Sequence, residues 1–305
     1  MPPILIDTDP GQDIDDLLAI HFALLRPELA IKAITTVTWP SDQRARLIKR
    51  LLRYLDRTDI TVAAGMQYPL RPMGDGEKQR QHDLDNCMNH RCFAEPLDST
   101  DADFRTDAVD LIIQTVEQHP GEIVLCCIAP LTNIATAICR KPEIASKIKT
   151  IALMGGETAL NRVEHNICFD YNASEVVFNS GIPIVMGTWD VTRRFVITKD
   201  ECAIFAQQDS ALHQALYTSI QKFLPVHHWK PGPVMYDIFP FIWAMGLEHY
   251  TLAQQSVEIE TSGQHTRGMT LLRGNAKHIQ VTTDMDAQAV KSLYWQTVFK
   301  SPIPV

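Results

Sequence analysis

Residues 3–18, PILIDTDPGQDIDDLL, pass from one apolar run through a cluster of carboxylates into a second apolar run. A short apolar run that ends in acidic turn residues is typical of a buried parallel strand, and the apolar spacing after residue 13 is helical. We therefore predict a strand over 3–6, an acidic loop, and a helix over 13–25. In α/β sheets, ligands bind at the carboxyl end of such a strand.

The same alternation of short apolar runs and helical patterns continues to the end of the chain. The predicted strands are 31–37, 60–63, 123–128, 151–154, 182–186, 257–260 and 279–282, and the predicted helices are 42–54, 107–118, 131–139, 203–224, 238–245 and 286–299. This order predicts an α/β fold with a mostly parallel central sheet flanked by helices. A chain of 305 residues is long enough for a deep core, and we predict a single domain over 1–305.

Two long stretches, 66–106 and 224–236, fit neither pattern. Both are rich in Pro, Gly and His, and long loops in compact domains are commonly functional. We expect them to form a small cap over the carboxyl ends of the strands. The basic residues of the helix over 42–54 are expected to form a solvated face. They are Arg44, Arg46, Lys49, Arg50 and Arg53.

The charge balance limits the kinds of partner. A formal net charge of −8 argues against a nucleic-acid binder, because such proteins neutralise phosphates with a basic surface. The first residues carry no basic segment, and no apolar run approaches the roughly 20 residues of a membrane span. We expect a cytoplasmic protein that acts on small molecules, away from nucleic acid and membranes.

The acidic loop is the strongest chemical signal in the sequence. Five carboxylates, those of Asp7, Asp9, Asp13, Asp15 and Asp16, occupy ten residues. Capping of the following helix explains one or two of them. The others would repel one another unless a cation were bound, and hard oxygen donors suit calcium or magnesium.

The sequence of the acidic loop can be compared with two known cation-binding motifs. An EF-hand loop that began at Asp7 would need Gly at its sixth position and Glu at its twelfth, where this chain has Gln12 and Leu18. A magnesium-dependent phosphatase of the haloacid dehalogenase type also has Asp-x-Asp after its first strand. Gly11 stands where that family usually has Thr or Val, and the phosphatase stays as an alternative.

Six short motifs, in the same order along the chain, resemble those of the inosine–uridine nucleoside hydrolase family. They are the acidic segment 7–16 (family pattern D-x-D-P-G-x-D-D), 130–135 (P-L-T-N-x-A), 153–156 (L-M-G-G), 164–166 with Asp170 (E-F-N…D), 236–237 (His-Asp or a variant) and 266–270 (T-R-G). The resemblance covers nearly the whole chain. It implies the nucleoside hydrolase fold, hydrolysis of ribonucleosides to ribose and free base, bound calcium, and a homodimer or homotetramer.

The resemblance also implies a role for individual residues. Asp9 contacts calcium and takes a proton from the attacking water, while Asp16 binds the ion through both carboxylate oxygens. The main-chain carbonyl of Thr132 and the carboxylate of Asp237 complete the metal site. These roles suit the reaction, whose oxocarbenium-like transition state needs a nearby anion and an oriented, deprotonated water.

Ribose binding is implied for Glu164 and Asn166. The acidic loop is two residues longer here than in the family pattern, so either Asp13 or Asp15 takes the remaining ribose-binding role. We favour Asp15, because it directly precedes Asp16 as in the shorter loop.

The sequence departs from the family at the base-binding side. Trp39-Pro40 replaces a Gly-Asn pair, so Trp39 either stacks on the base or packs as a structural residue. Tyr236 replaces the histidine that protonates the leaving base. The candidates for that acid are Tyr236 itself and three histidines, His82, His227 and His228. The alternative function is a catalytically impaired nucleoside or ribose binder on the same fold.

Overall fold

The computed structural model describes residues 2–71, 87–96, 98–273 and 279–300. Its main sheet has eight strands in the order β3-β2-β1-β4-β5-β6-β10-β7. All neighbouring pairs are parallel except β10 and β7. The strands are β1 Pro3–Thr8, β2 Ala30–Thr36, β3 Thr61–Ala64, β4 Val124–Cys127, β5 Thr150–Met154, β6 Ile184–Gly187, β7 Tyr250–Gln255 and β10 Ile279–Met285, with β8 Val257–Ile259 and β9 Thr270–Leu272 forming a separate antiparallel pair.

Helices cover both faces of the sheet. They are α1 Asp15–Leu24, α2 Ser41–Tyr54, α3 Ala108–Gln118, α4 Thr132–Arg140, α5 His165–Phe169, α6 Tyr171–Phe178, α7 Trp189–Thr192, α8 Lys199–Ala206, α9 Ala211–Val226, α10 Phe239–Ala244 and α11 Ala287–Phe299. Short 3-10 helices lie at Arg91–Ala94, Ser99–Ala102, Pro142–Lys147 and Tyr236–Ile238. The predicted α/β class and the mostly parallel, helix-flanked sheet are confirmed. Among the described helices, none is long and apolar enough to cross a membrane.

Alternate residues of the central strands enter two separate cores. On β1, Ile4 and Ile6 belong to the core on one face, while Leu5 belongs to the core on the other. This follows from the two-residue period of a strand, and burial on both faces explains why the strand is a continuous apolar run. The same alternation continues to the end of β1, so the side chains of Asp7 and Thr8 point to opposite faces of the sheet.

The acidic loop lies at the topological switch point of the sheet. From β1 the chain adds β2 and β3 on one side, and then returns to add β4, β5 and β6 on the other side. Connections leave the strand ends in opposite directions at this point, which opens a crevice beyond β1 and β4. The first strand and its acidic loop are therefore placed where α/β sheets bind ligands.

The structure corrects several predicted elements. The helix predicted over 203–224 is two helices, α8 and α9, separated by residues 207–210. The strand predicted over 257–260 is outside the main sheet, and the edge strand β7 was not predicted. The stretch 224–236 begins inside α9, and the described part of 66–106 contains two of the 3-10 helices.

Candidate active site

A cavity of about 490 Å³ lies beyond the carboxyl ends of the central strands. Its wall combines the acidic loop after β1, the end of β5 and the connection to α5, and the segment after α9. The residues that line it are Asp9, Gln12, Asp13, Asp15, Asp16, Ile128, Met154, Arg162, Glu164, His165, Asn166, Trp189, His227, Trp229, Lys230, Tyr236 and Asp237.

Three buried carboxylates form the floor of this cavity. Oxygen atoms of Asp15, Asp16 and Asp237 all lie within 4.8 Å of one another, and each residue is at most 4% exposed. Asp15 and Asp16 begin α1, whereas Asp237 comes from a 3-10 helix more than 200 residues later. Burial, followed by repulsion from Asp15 and Asp16, raises the pKa of Asp237 well above its ordinary value.

Asp9 stands beside these three carboxylates. Its backbone N–H donates to Asp16 Oδ1 at 3.1 Å, and the Thr8 hydroxyl donates to the same oxygen. These bonds orient Asp16, whose pKa burial raises to about 6. Burial, and next the charge of Asp16, raise the pKa of Asp9 well above its ordinary value.

Asp7 faces the opposite side of the sheet and has a structural role. Its Oδ1 accepts hydrogen bonds from Thr35 Oγ1 at 2.6 Å and from Asn133 Nδ2 at 2.8 Å. Asn133 also donates to the Thr36 carbonyl at 3.1 Å and accepts from Met66 N–H at 2.9 Å. The asparagine of the 130–135 motif therefore ties together the ends of β1, β2 and β3.

Arg44, on α2, contacts the main chain of the acidic loop. The prediction that the basic residues of α2 are solvated is wrong for this residue. Its side chain is 1% exposed and its guanidinium donates to four main-chain carbonyls. The acceptors are the carbonyls of Thr38, Trp39, Asp9 and Pro10. The cation thus fixes the loop while its charge offsets part of the carboxylate cluster.

Arg50 is the second exception on α2. It is 4% exposed, and its Nη2 lies 2.6 Å from Asp101 in a buried ion pair.

Glu164 and Asn166 line the cavity at the start of α5. Glu164 caps this helix, because its side chain accepts hydrogen bonds from the backbone N–H groups of Asn166 and Ile167. Its Oε2 also accepts from Gly156 N–H at 2.9 Å. Asn166 Nδ2 donates to the Met154 carbonyl at 3.2 Å. Both side chains are held rigidly at the cavity wall, as a sugar-binding pair requires.

Thr132, the predicted main-chain metal ligand, is tied into the fold by two hydrogen bonds. It is the first residue of α4, where its carbonyl accepts a hydrogen bond from Thr136 Oγ1 at 2.7 Å. Its own hydroxyl donates to Asp170 Oδ2 at 2.7 Å. Thr132 is not among the lining residues, and the residue that reaches the cavity from this connection is Ile128, directly after β4.

Asp13 and Asp15 occupy different positions in the site. Asp15 belongs to the buried carboxylate cluster, whereas Asp13 lies nearer the surface and forms an ion pair with Lys230. The preference for Asp15 as the ribose-binding residue stays a prediction, and the paired Asp13 is less free to bind a sugar.

The predicted base-side residues divide into three groups. Tyr236 and His227 line the cavity, and His227 stacks on Phe223 with ring centroids 4.4 Å apart. His228 is exposed and is not a lining residue. His82 lies outside the described residues.

Trp39 is the other predicted base-side residue. It is half-buried, packs against the core of the α1 and α2 face, and is absent from the described cavity wall. The structure therefore favours the packed alternative for Trp39.

Several lining residues were not predicted from the sequence. Lys230 lies in the proline-rich segment that was expected to form a cap, so its position was a usable signal. Trp189 is covered by Arg162, whose guanidinium carbon lies 3.8 Å from the ring centroid. The sequence around these last two residues carried no signal of a site.

Comparison with known proteins agrees with this geometry. Residues 4–292 match the family described as inosine-uridine preferring nucleoside hydrolase. The chain belongs to this family. It is 33% identical over 306 residues to the pyrimidine-specific ribonucleoside hydrolase RihA of Escherichia coli O7:K1, with 95% of this chain and 96% of that protein covered. RihA of Salmonella newport is also 33% identical, with the same coverage.

Solved structures support the fold of this nucleoside hydrolase. A plant nucleoside hydrolase, PpNRh1, is 25% identical, with a TM-score of 0.82 over 97% of this chain and 98% of that one. The purine-preferring ribonucleoside hydrolase of Gardnerella vaginalis, at 23% identity, has a TM-score of 0.83 with the same coverage. The chain is thus an enzyme that cleaves the N-glycosidic bond of nucleosides. The phosphatase alternative, which depended on Asp-x-Asp alone, is no longer needed.

Proposed function

We propose that this enzyme hydrolyses ribonucleosides to ribose and free base with calcium as its resident cation. The observation that carries the proposal is the cluster of Asp15, Asp16 and Asp237, buried within 4.8 Å at the floor of the cavity. Like charges about 4 Å apart repel by about 4 kcal/mol even at an effective dielectric of 20. Three such carboxylates are therefore stable together only with bound protons or a cation.

The donor set fits a hard divalent cation. The cluster offers carboxylate oxygens only, and calcium and magnesium prefer oxygen ligands. Asp16 and Asp237 would hold the ion, with Asp9 beside them and a main-chain carbonyl supplied by Ile128 instead of Thr132. When bound, calcium would attract the ribose diol and favour ionisation of a nearby water.

The side chains of this chain then divide the remaining tasks. Asp9, whose pKa burial raises, accepts the proton of the attacking water. Asp15, Glu164 and Asn166 hold the ribose hydroxyls. The carboxylates on the cavity floor stabilise the positive charge that develops on the sugar as the glycosidic bond breaks.

One experiment tests the metal and the reaction together. The purified enzyme is treated with a chelator and assayed for reducing sugar with uridine, cytidine, inosine and adenosine, before and after calcium or magnesium is returned. We expect activity to be lost and then restored by calcium. Full activity after chelation would contradict the metal assignment, and binding without turnover in the calcium-loaded enzyme would favour the impaired binder.

Substitution of Asp9 tests the assignment of the base. Asp9→Asn keeps the shape of the side chain but cannot accept the water proton, so we expect kcat to fall by about 10²–10⁴. Steady-state kinetics with the best nucleoside measures it. Asp59→Asn, at an exposed position far along the chain, is the matched control and should behave like the wild type. Equal rates for Asp9→Asn and wild type would remove Asp9 from the mechanism.

Three further properties belong to the proposal. Pyrimidine ribonucleosides are the proposed substrates, because the RihA relatives are named for them. We further propose a single domain, with a cap that includes residues 227–236, and a homodimer or homotetramer in the cytoplasm. Sedimentation of the purified enzyme measures the oligomeric state.

A further inference from the structure

Lys230 is a largely buried cation that lines a cavity whose floor is acidic. Its side chain is 15% exposed, it lines the cavity, and its ammonium forms an ion pair with Asp13. The ammonium nitrogen also lies 5.3 Å from the ring centroid of Tyr236 and 5.5 Å from that of Phe223. An ion pair and two aromatic faces hold the ammonium in one place.

Lys230 lies on the part of the cavity wall that the proposed ribose and metal ligands leave for the base. The proposed ribose and metal groups come from the acidic loop, α5 and Asp237. The remaining wall is supplied largely by the segment 227–236, with two aromatic residues, one histidine and this lysine. A nucleoside whose ribose contacts the carboxylates must place its base against another part of the wall, and this segment is apolar enough to receive it.

We propose that the Lys230 ammonium, anchored by Asp13, contacts the departing base and stabilises the negative charge that it acquires. This inference depends on the proposed function. As the C1′–N bond breaks, its electron pair moves to the base, and the water oxygen bonds to C1′. The water proton that Asp9 removes is balanced by the proton that the base nitrogen finally gains from solvent. Lys230 donates a hydrogen bond to the base during this step and keeps its own protons.

The other groups on this wall are less suited to that task. Burial lowers the pKa of His227, so its imidazole is neutral, and burial raises the pKa of the Tyr236 phenol. Arg162 is the other cation among the described lining residues, but it is exposed and stacks on Trp189. Lys230 is held inside the cavity in the charged form: burial, the largest single effect, lowers its pKa, but the combined attraction of Asp13, Tyr236 and Asp15 outweighs it and raises the pKa.

Substrates with different leaving groups test the proposal. Lys230→Met is compared with wild type on uridine and on p-nitrophenyl β-D-ribofuranoside, whose nitrophenolate leaves without stabilisation. We expect kcat for uridine to fall about 100-fold or more, as when one charge-stabilising donor is lost, and the p-nitrophenyl riboside to be cleaved almost as by wild type. Lys222→Met, an exposed lysine on α9, is the matched control and should change neither rate.

The possible outcomes separate the hypotheses. Equal losses on both substrates, or no loss on uridine, would overturn the role of Lys230. If the wild type cleaves neither substrate, the proposed function itself fails. Lys230→Arg should keep most of the uridine activity because it keeps the charge. If Lys230→Met does not fold, Asp13→Asn provides the same comparison, because it releases the ammonium from its anchor and should slow uridine selectively.

Discussion

The residue that departs most from expectation is Arg44. A basic residue in a run of basic residues on a helix is usually solvated, but this one is buried against four carbonyl oxygens. Carbonyl partners have no side-chain signature, and two of them lie about 35 positions away. Its burial could not be predicted from the sequence, although the acidic loop that it holds was the first feature to stand out.

Substitution of Arg44 should show that contribution. In Arg44→Met the four carbonyls lose a charged donor, so we expect the free energy of unfolding to fall by about 3 kcal/mol or more. Urea denaturation measures it. Arg46→Met, on the same helix but with a cation–π contact to Phe104 as its one interaction among the described residues, should cost about 1 kcal/mol or less. Equal effects of the two substitutions would mean that the buried hydrogen bonds contribute little.

At the scale of elements, the sequence predicts the parallel strands well, including the edge strand β3, and the antiparallel edge strand poorly. Central strands such as β1 and β4 are buried on both faces, so their apolar runs are unbroken. The edge strand β7, YTLAQQ, has only half-buried and exposed positions and lacks that signal. The break between α8 and α9 was missed, because polar residues over 207–210 occur on helix surfaces as well as in turns.

The site was predictable to the extent that it lies in local motifs. The acidic loop follows the first predicted strand, Glu164 and Asn166 lie in a matched motif, and the structure brings them to one cavity. The resemblance indicated Asp237, which apolar periodicity alone could not bring to the loop. Lys230 reaches the cavity through tertiary folding, and its own neighbours in sequence do not show where its ammonium points.

Asn133 joins three strand ends through one side chain at the start of α4. Asn133→Ala removes hydrogen bonds to Asp7, to the Thr36 carbonyl and from Met66 N–H. We expect a loss of about 2–3 kcal/mol of stability, because buried polar groups are left without partners. Urea denaturation measures the loss, and a lower kcat would show that the loop after β1 has moved.

A control substitution separates this loss of stability from the general effect of removing an amide side chain. Asn172→Ala, in the first turn of α6 and partly exposed, should change stability by no more than about 0.5 kcal/mol. If Asn133→Ala were equally mild, the three strand ends would be held by the sheet hydrogen bonds alone.

At the scale of the whole molecule, the doubly wound strand order explains where the site lies and why the site destabilises the fold. The crevice beyond β1 and β4 gathers carboxylates from segments more than 200 residues apart, so the buried charge is created only on folding. The cores on both faces must supply the stability that this cluster removes. Buried histidines titrate too, which makes stability depend on pH in addition to the carboxylate cluster.

Two buried histidines, His21 and His90, predict how the stability of the fold changes at acid pH. Burial, mainly, lowers the pKa of His21 and of His90 from 6.5 to about 3. Below pH 6.5 these histidines therefore bind protons in the unfolded chain but not in the folded chain. Each histidine should reduce the free energy of unfolding as pH falls from 6.5 towards 3. The expected slope is about 1.4 kcal/mol per pH unit for each histidine. In His21→Leu the contribution of one histidine to that slope should be lost, whereas His265→Gln, at an exposed position, should leave the slope unchanged. Urea denaturation at a series of pH values measures the slope, and an unaltered slope in His21→Leu would mean that His21 is protonated within the folded core.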